Sequence, residues 1–287
     1  VGTVVGRVLD GSTPNTTGTL ALQGTGTTLS TNSLRTLSGQ SSIRVLDGAV
    51  VTTVTGPGSG VYLGGSGPTA YSGGSADVVV SGAGSAILSG GQYVQQAGNL
   101  EISGGGTVQS TAVIYLGAQT GIFTGVVTGA GSTLASTGSQ VIALGANGTA
   151  TLTVADGGTI SSASGNGQVN LAGANGTGTG SATLNIGARG GDAPAAPGMG
   201  IASAVHGGGG TAVLNFNHNA SAYDFAVPIT GTTNVNQIGS GTTTLTVANT
   251  YTGATGVTAG TLRAGAADVL SAASAHTVGA GGMLDLA

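Results

Sequence analysis

The side chains best suited to acid–base chemistry in this sequence are His206, His218 and His276, eight Asp, the single Glu101 and five Arg; there is no Lys and no Cys. Without Cys there is no thiol nucleophile, disulfide, zinc–thiolate or iron–sulfur site. Without Lys there is no Walker phosphate loop. No Ser sits in a Gly-x-Ser-x-Gly elbow, and there is neither a His-Glu-x-x-His pair nor a Gly-x-Gly-x-x-Gly fingerprint among the 59 Gly. The three His are far apart. A Ser/His/Asp triad is defined by geometry, so spacing alone leaves one open. The bland reading of His218 is a polar residue at a turn, flanked by Asn217 and Asn219.

A carboxylate site of the kind polysaccharide-cleaving enzymes use needs clustered acids. Asp10 and Asp47 both stand in Leu-Asp-Gly, and Asp156 precedes Gly157-Gly158, which reads as turn chemistry. Arg7 with Asp10 and Arg44 with Asp47 read as local surface pairs of little energetic weight. The six Tyr (Tyr62, Tyr71, Tyr93, Tyr115, Tyr223, Tyr251) could form a carbohydrate-stacking surface. The alternative makes Tyr62 and Tyr115, each beside Leu-Gly, rim residues covering a corner. The expectation is therefore no catalytic, cofactor or metal site, and a ligand surface without assigned residues.

The elements that position these residues are repeats. Arg7-Val8-Leu9-Asp10-Gly11 recurs as Arg44-Val45-Leu46-Asp47-Gly48, and Val80–Ser85 recurs as Val127–Ser132. Leu100-Glu101-Ile102 followed by Gly105-Gly106-Thr107-Val108 recurs as Leu152-Thr153-Val154 followed by Gly157-Gly158-Thr159-Ile160. Leu116 to Leu144 is 28 residues, Leu144 to Leu171 is 27, and Leu63 to Leu116 is 53, two units with a degenerate middle near Tyr93-Val94. Short apolar alternations separated by Gly corners are half-buried strands joined by tight turns. Such a unit is one coil of a solenoid. A propeller blade needs a longer repeat and an aromatic motif, and a calcium-binding roll needs Asp in each Gly-rich repeat; both fit poorly. At this period the 287 residues make about ten or eleven coils, a rod on the order of 50 Å long.

Composition agrees with a parallel stack. Equivalent residues of successive coils lie about 4.8 Å apart, where like charges repel by about 0.9 kcal/mol even in water. Thr, Ser and Val tolerate identical neighbours. The net charge is −4, and five scattered Arg provide no nucleic-acid footprint. No apolar run is long enough to span a bilayer as a helix. The N-terminus, Val1-Gly2-Thr3, lacks an initiator Met and a basic n-region, so it is read as part of something longer.

The pattern changes after Ile186. Residues 188–210, rich in Gly and Pro, read as an excursion loop between coils 1–187 and a distal segment, 211–287. That segment contains Leu214-Asn215-Phe216-Asn217-His218, Tyr223-Asp224-Phe225 and Gly231–Gln237. It continues with Gly241–Gly253, Val257–Arg263 and Val278–Leu286. These runs resemble the distal passenger of bacterial autotransporters, the type V secretion family, with its autotransporter-associated β-strand repeats. The specific match covers about 211–287, and the upstream coils are similar in style. The resemblance implies an all-β, single-stranded right-handed parallel β-helix. It also implies a C-terminal outer-membrane β-barrel translocator in the full-length chain, and a location at the bacterial cell surface or in the secreted fraction. Passengers of this family include adhesins, stems and enzymes, so the resemblance leaves function open.

Three readings follow. The first is an adhesin or self-association passenger whose partner is a host surface or matrix ligand, a glycan, or the same protein on neighbouring cells. The second is a passive stem presenting another domain. The third, an extracellular hydrolase, would have to rest on His218 or Asp224. By the resemblance, 211–287 is an autochaperone-like cap, with Phe216, Tyr223 and Phe225 as its aromatic packing. Removing 211–287 is expected to make residues 1–210 protease-sensitive; unchanged resistance in a digestion time course contradicts this.

Overall fold

The computed structural model describes residues 3–4, 17–36, 39–65, 74–138, 141–173 and 178–286; Arg7, Asp10 and Tyr71 lie outside them. Each coil turns through three short strands. In one coil these are Ile122–Thr128 on the first face, Thr133–Ser136 on the second and Val141–Leu144 on the third. The next coil repeats them as Thr149–Ala155, Thr159–Ser162 and Gln168–Leu171. All pair in parallel, with Val127 beside Val154, Leu134 beside Ile160 and Leu144 beside Leu171. The chain is a parallel β-helix solenoid. Eleven coils begin on the first face, from Thr17–Gln23 to His276–Asp285.

The core follows from strand alternation. Val78, Leu100, Leu152 and Leu184 point inward on the first face, and Leu63, Leu116, Leu144 and Leu171 on the third, all buried. Between Leu100 and Leu152 the register places Gly125. A Cβ there would lie 2.9 Å from the Phe123 ring, so the glycine makes room for the aromatic. Inside the corner between second and third faces, Ser89, Ser110 and Ser136 stack in register. Their hydroxyls donate to corner carbonyls: Ser89 to Gln92 (2.8 Å), Ser110 to Gly91 (2.7 Å) and Ser136 to Ala112 (2.9 Å). Part-buried turn carbonyls thereby gain donors from the column.

The corner between first and second faces needs two residues of positive φ. Asp47 and Gly48 supply φ of 54° and 85°, and Asp156 and Gly157 supply 50° and 79°. Asp tolerates this region better than most residues with a Cβ. The Leu-Asp-Gly turn is therefore present at 46–48. The surface pair expected between Arg44 and Asp47 is not formed. The Asp47 carboxylate turns back to accept from Gln23 Nε2 at 2.7 Å, and Asp156 likewise accepts from the Thr128 hydroxyl at 3.0 Å.

The period is looser than 27–28. Registered neighbours are 20 residues apart at Val235 and Thr255 and 35 apart at Gln40 and Ser75. Strands must stay in register, while corners lengthen at small entropic cost. Within 188–210, Met199–Ile201 and Ala204–Gly207 are regular strands of the second and third faces. Residues 188–198 form the excursion, an enlarged first corner. Farther on, Thr255–Ala264 runs through a corner without stopping and pairs with both strands of the coil below, Asn234–Gln237 and Thr242–Leu245.

The degenerate unit near Tyr93-Val94 has a cause. In register between Leu63 and Leu116 stands Gln95, fully buried. Its Nε2 donates to the carbonyls of Ala76 (2.8 Å) and Asn99 (3.0 Å), and its Oε1 accepts from the Tyr93 hydroxyl at 2.8 Å. Gln95→Leu restores the apolar column but strands these groups, and should cost about 1–3 kcal/mol in urea denaturation. Adding Tyr93→Phe should recover part of that loss, read as a favourable coupling in a double-mutant cycle.

Candidate functional site

The second-face sheet ends at Met199–Ile201. The next strand on that side, Tyr223–Phe225, pairs with Thr242–Leu245 above it, not with Met199–Ile201 below. At this seam between the seventh and eighth coils, the first face stays continuous through Ser181–Gly187 and Thr211–Asn217. The third face continues through Ala204–Gly207 and Ile229–Gly231. Met199 and Ile201 are exposed where the sheet stops.

Aromatic rings fill the seam from inside. Phe216 packs edge-on to Phe225 at 5.1 Å, and Tyr223 lies 6.5 Å from each. The Tyr223 hydroxyl crosses to donate to the Gly198 carbonyl at 2.9 Å, and its burial pushes its pKa up. His218 lies 5.1 Å from the Tyr223 ring and is fully buried.

The enlarged corner, 188–198, is a strap over the outside of the seam. Downward, it accepts from Asp156 N at the Ala196 carbonyl (2.9 Å) and from Gly157 N at the Pro197 carbonyl (3.1 Å). Upward, Ala195 bridges His218, and Asn219 N donates to the Ala195 carbonyl at 3.1 Å. Asn217 Nδ2 donates to the carbonyls of Arg189 (2.7 Å) and Asp192 (3.1 Å). The strap thus ties the sixth coil to the eighth. Beside it on the first face runs an amide ladder. Asn236 Nδ2 donates to Asn215 Oδ1 (3.0 Å), Asn215 to Asn185 (2.9 Å), and Asn185 to the Thr153 hydroxyl (3.2 Å). Asn185 is fully buried.

The structure keeps the other candidate residues apart. His206 sits on the third face with Nδ1 2.9 Å from the Thr230 hydroxyl, and His276 is exposed in the last strand. Asp224 is exposed between the inward-facing Tyr223 and Phe225, and no hydrogen bond joins it to His218. Among the described residues no group of three or more His, Asp or Glu could hold a metal. Tyr62 and Tyr115 share one column, separated by Val94. Tyr62 is buried beneath the Arg35 guanidinium, 4.5 Å from the ring centre. Tyr93 and Tyr251 are also buried, and burial raises the pKa of both. The described tyrosines do not form a single exposed platform.

Sequence reasoning missed the strap, the amide ladder and the His218 contacts. A signal for the ladder was present: Leu184-Asn185-Ile186, Leu214-Asn215-Phe216 and Val235-Asn236-Gln237 each place Asn at the outward position between inward-facing residues. No protein-family model, curated protein or solved structure matches the chain.

Asn217→Ala removes both side-chain bonds to the strap and leaves two carbonyls without that donor. Stability should fall by about 1–3 kcal/mol. Limited proteolysis should show new cleavage within 189–198 before the coils are cut.

Proposed function

We propose that this chain is part of an autotransporter-type passenger, displayed at a bacterial surface or secreted, that works by surface association: adhesion, or self-association between cells. The carrying observation is the second face. None of its outward positions from Thr28 to Ile201 is charged; one column runs Thr107, Thr133, Thr159, Met199 and its neighbour Gln109, Ala135, Ser161, Ile201. An uncharged face of hydroxyl, amide and apolar groups can lie against another such face, or a glycan, without desolvating a charge.

Its size sets the mode of binding. The seven strands from Thr28–Thr31 to Met199–Ile201, of about four residues each, cover on the order of 400 Å². That is about half of what one partner contributes to a standard stable interface. One rod therefore binds weakly, and many rods on one cell bind by avidity. The resemblance of 211–287 to autotransporter distal repeats supports the same setting.

The test is display of the chain on cells through an outer-membrane barrel, with settling and glycan- or matrix-array binding as readouts. Displaying cells should clump or bind. Thr107→Glu with Thr159→Glu, two rungs apart, should reduce the signal at least severalfold while leaving display level and protease resistance unchanged. Equal settling of displaying and non-displaying cells, with no array binding, would instead favour a passive stem.

A further inference from the structure

The His218 imidazole has one bonded nitrogen and one without a partner. Nε2 is 2.8 Å from the Thr243 hydroxyl. That hydroxyl donates to Gln237 Oε1 at 2.7 Å. The Gln237 amide is oriented by its own donations to the carbonyls of Gly239 (2.9 Å) and Gly241 (3.2 Å). The chain of donors has one direction, so Thr243 must accept, and Nε2 carries the proton. Nδ1 is then a bare lone pair, buried without a hydrogen-bond partner. Gly241 closes the space beside it: a Cβ there would fall 2.4 Å from Nδ1.

We infer that His218 makes the strap a pH-dependent fastener: the neutral imidazole holds 188–198 across the seam, and protonation at Nδ1 releases it. A proton on Nδ1 would create a buried cation whose new donor has no acceptor. Such a charge is relieved by moving the ring to water. The residue that must move is the one that bridges Ala195 of the strap and whose neighbours, Asn217 and Asn219, bond the carbonyls of Arg189, Asp192 and Ala195.

No neighbouring charge offsets the cation. Tyr223 is the titratable group against the ring, and burial keeps its hydroxyl protonated. On the strap Arg189 and Asp192 are exposed, and on the Tyr223 strand Asp224 is exposed. The flanking strands present Asn217, Gln237 and Thr243, all uncharged. Burial pushes the His218 pKa below its ordinary value. The sign follows. The open form binds a proton near the ordinary value of about 6.5 and the closed form at a lower pH. Closure is therefore complete above about pH 7 and weakens as pH falls, by up to tenfold per pH unit until the closed form itself titrates.

The test is hydrogen exchange on the whole chain between pH 7.5 and 5, corrected for intrinsic rates. It is read at the amides of Asp156, Gly157 and Asn219, which donate to strap carbonyls. Protection at these amides should fall by up to tenfold per unit below about pH 6.5, while mid-rod amides such as Val127 hold theirs. His218→Gln should flatten that dependence, and His276→Gln should leave it intact. Should His218→Gln fail to fold, imidazole nitrogen shifts of the unaltered chain serve instead. They should show the Nε2–H tautomer, and a titration coincident with the loss of protection. Protection independent of pH, an unchanged profile in His218→Gln, or His218 titrating while the strap stays protected would each overturn the inference.

Discussion

Everything in this molecule answers to one spacing. Parallel strands place each residue about 4.8 Å from its equivalents in the coils above and below. A side chain is selected for how it sits beside something like itself. Aliphatic residues pass this test inside, and hydroxyls and amides pass it where they can donate along the stack. The Ser89–Ser110–Ser136 corner and the Asn185–Asn215–Asn236 ladder are two such polar solutions. Charges pass it only when the neighbour is opposite or neutral. Arg263 beside Asp285, joined at 2.7 Å, is the opposite case, and Arg44 between Ala21 and Val79 the neutral one. The near absence of charge in the composition is this rule applied over the whole chain.

Corners are the second consequence. Registered strands leave the turn little freedom, so the backbone enters the left-handed region at Asp47-Gly48 and again at Asp156-Gly157. The next residue is constrained by packing instead. A Cβ on Gly158 would lie 2.4 Å from the Val127 carbonyl in the coil below, and one on Gly106 2.3 Å from that of Val80. Where the chain does not close a corner tightly, it can leave the stack altogether. The strap at 188–198 occupies the corner that Asp156, Gly157 and Gly158 turn in the previous coil, and its Ala196 and Pro197 bond back to that turn.

These two rules explain what the sequence made legible. Columns in which like follows like could be read directly: Leu116, Leu144 and Leu171 register as their spacing implies, and the Gly corners fall where repeats put them. Gln95 broke the column and read as degeneracy, because its stability depends on Tyr93 two residues away and on Ala76 at the start of the same coil. The seam was out of reach for the same kind of reason. Tyr223 meeting Gly198, and His218 meeting Thr243, join positions 25 residues apart that resemble no repeat. The aromatic cluster of Phe216, Tyr223 and Phe225 was visible as composition, but the broken sheet it fills was not.

In a solenoid, stability is close to a sum of contacts between adjacent coils. At most junctions three strand pairings contribute. Between the seventh and eighth coils the second face contributes none, so that junction begins at a deficit. Two features offset it, and both skip the missing pairing. The rings pack through the interior, and the strap reaches from the sixth coil to the eighth. The first and third faces keep their ladders across the seam, while coupling on the second face rests on a few side-chain and strap contacts. A ladder of many equivalent bonds has no single residue whose change would open it. A second face held by Asn217, Tyr223 and His218 does, and His218 gains a charge as the pH falls. The broken second face is thus a place where a small chemical change can act on the strap.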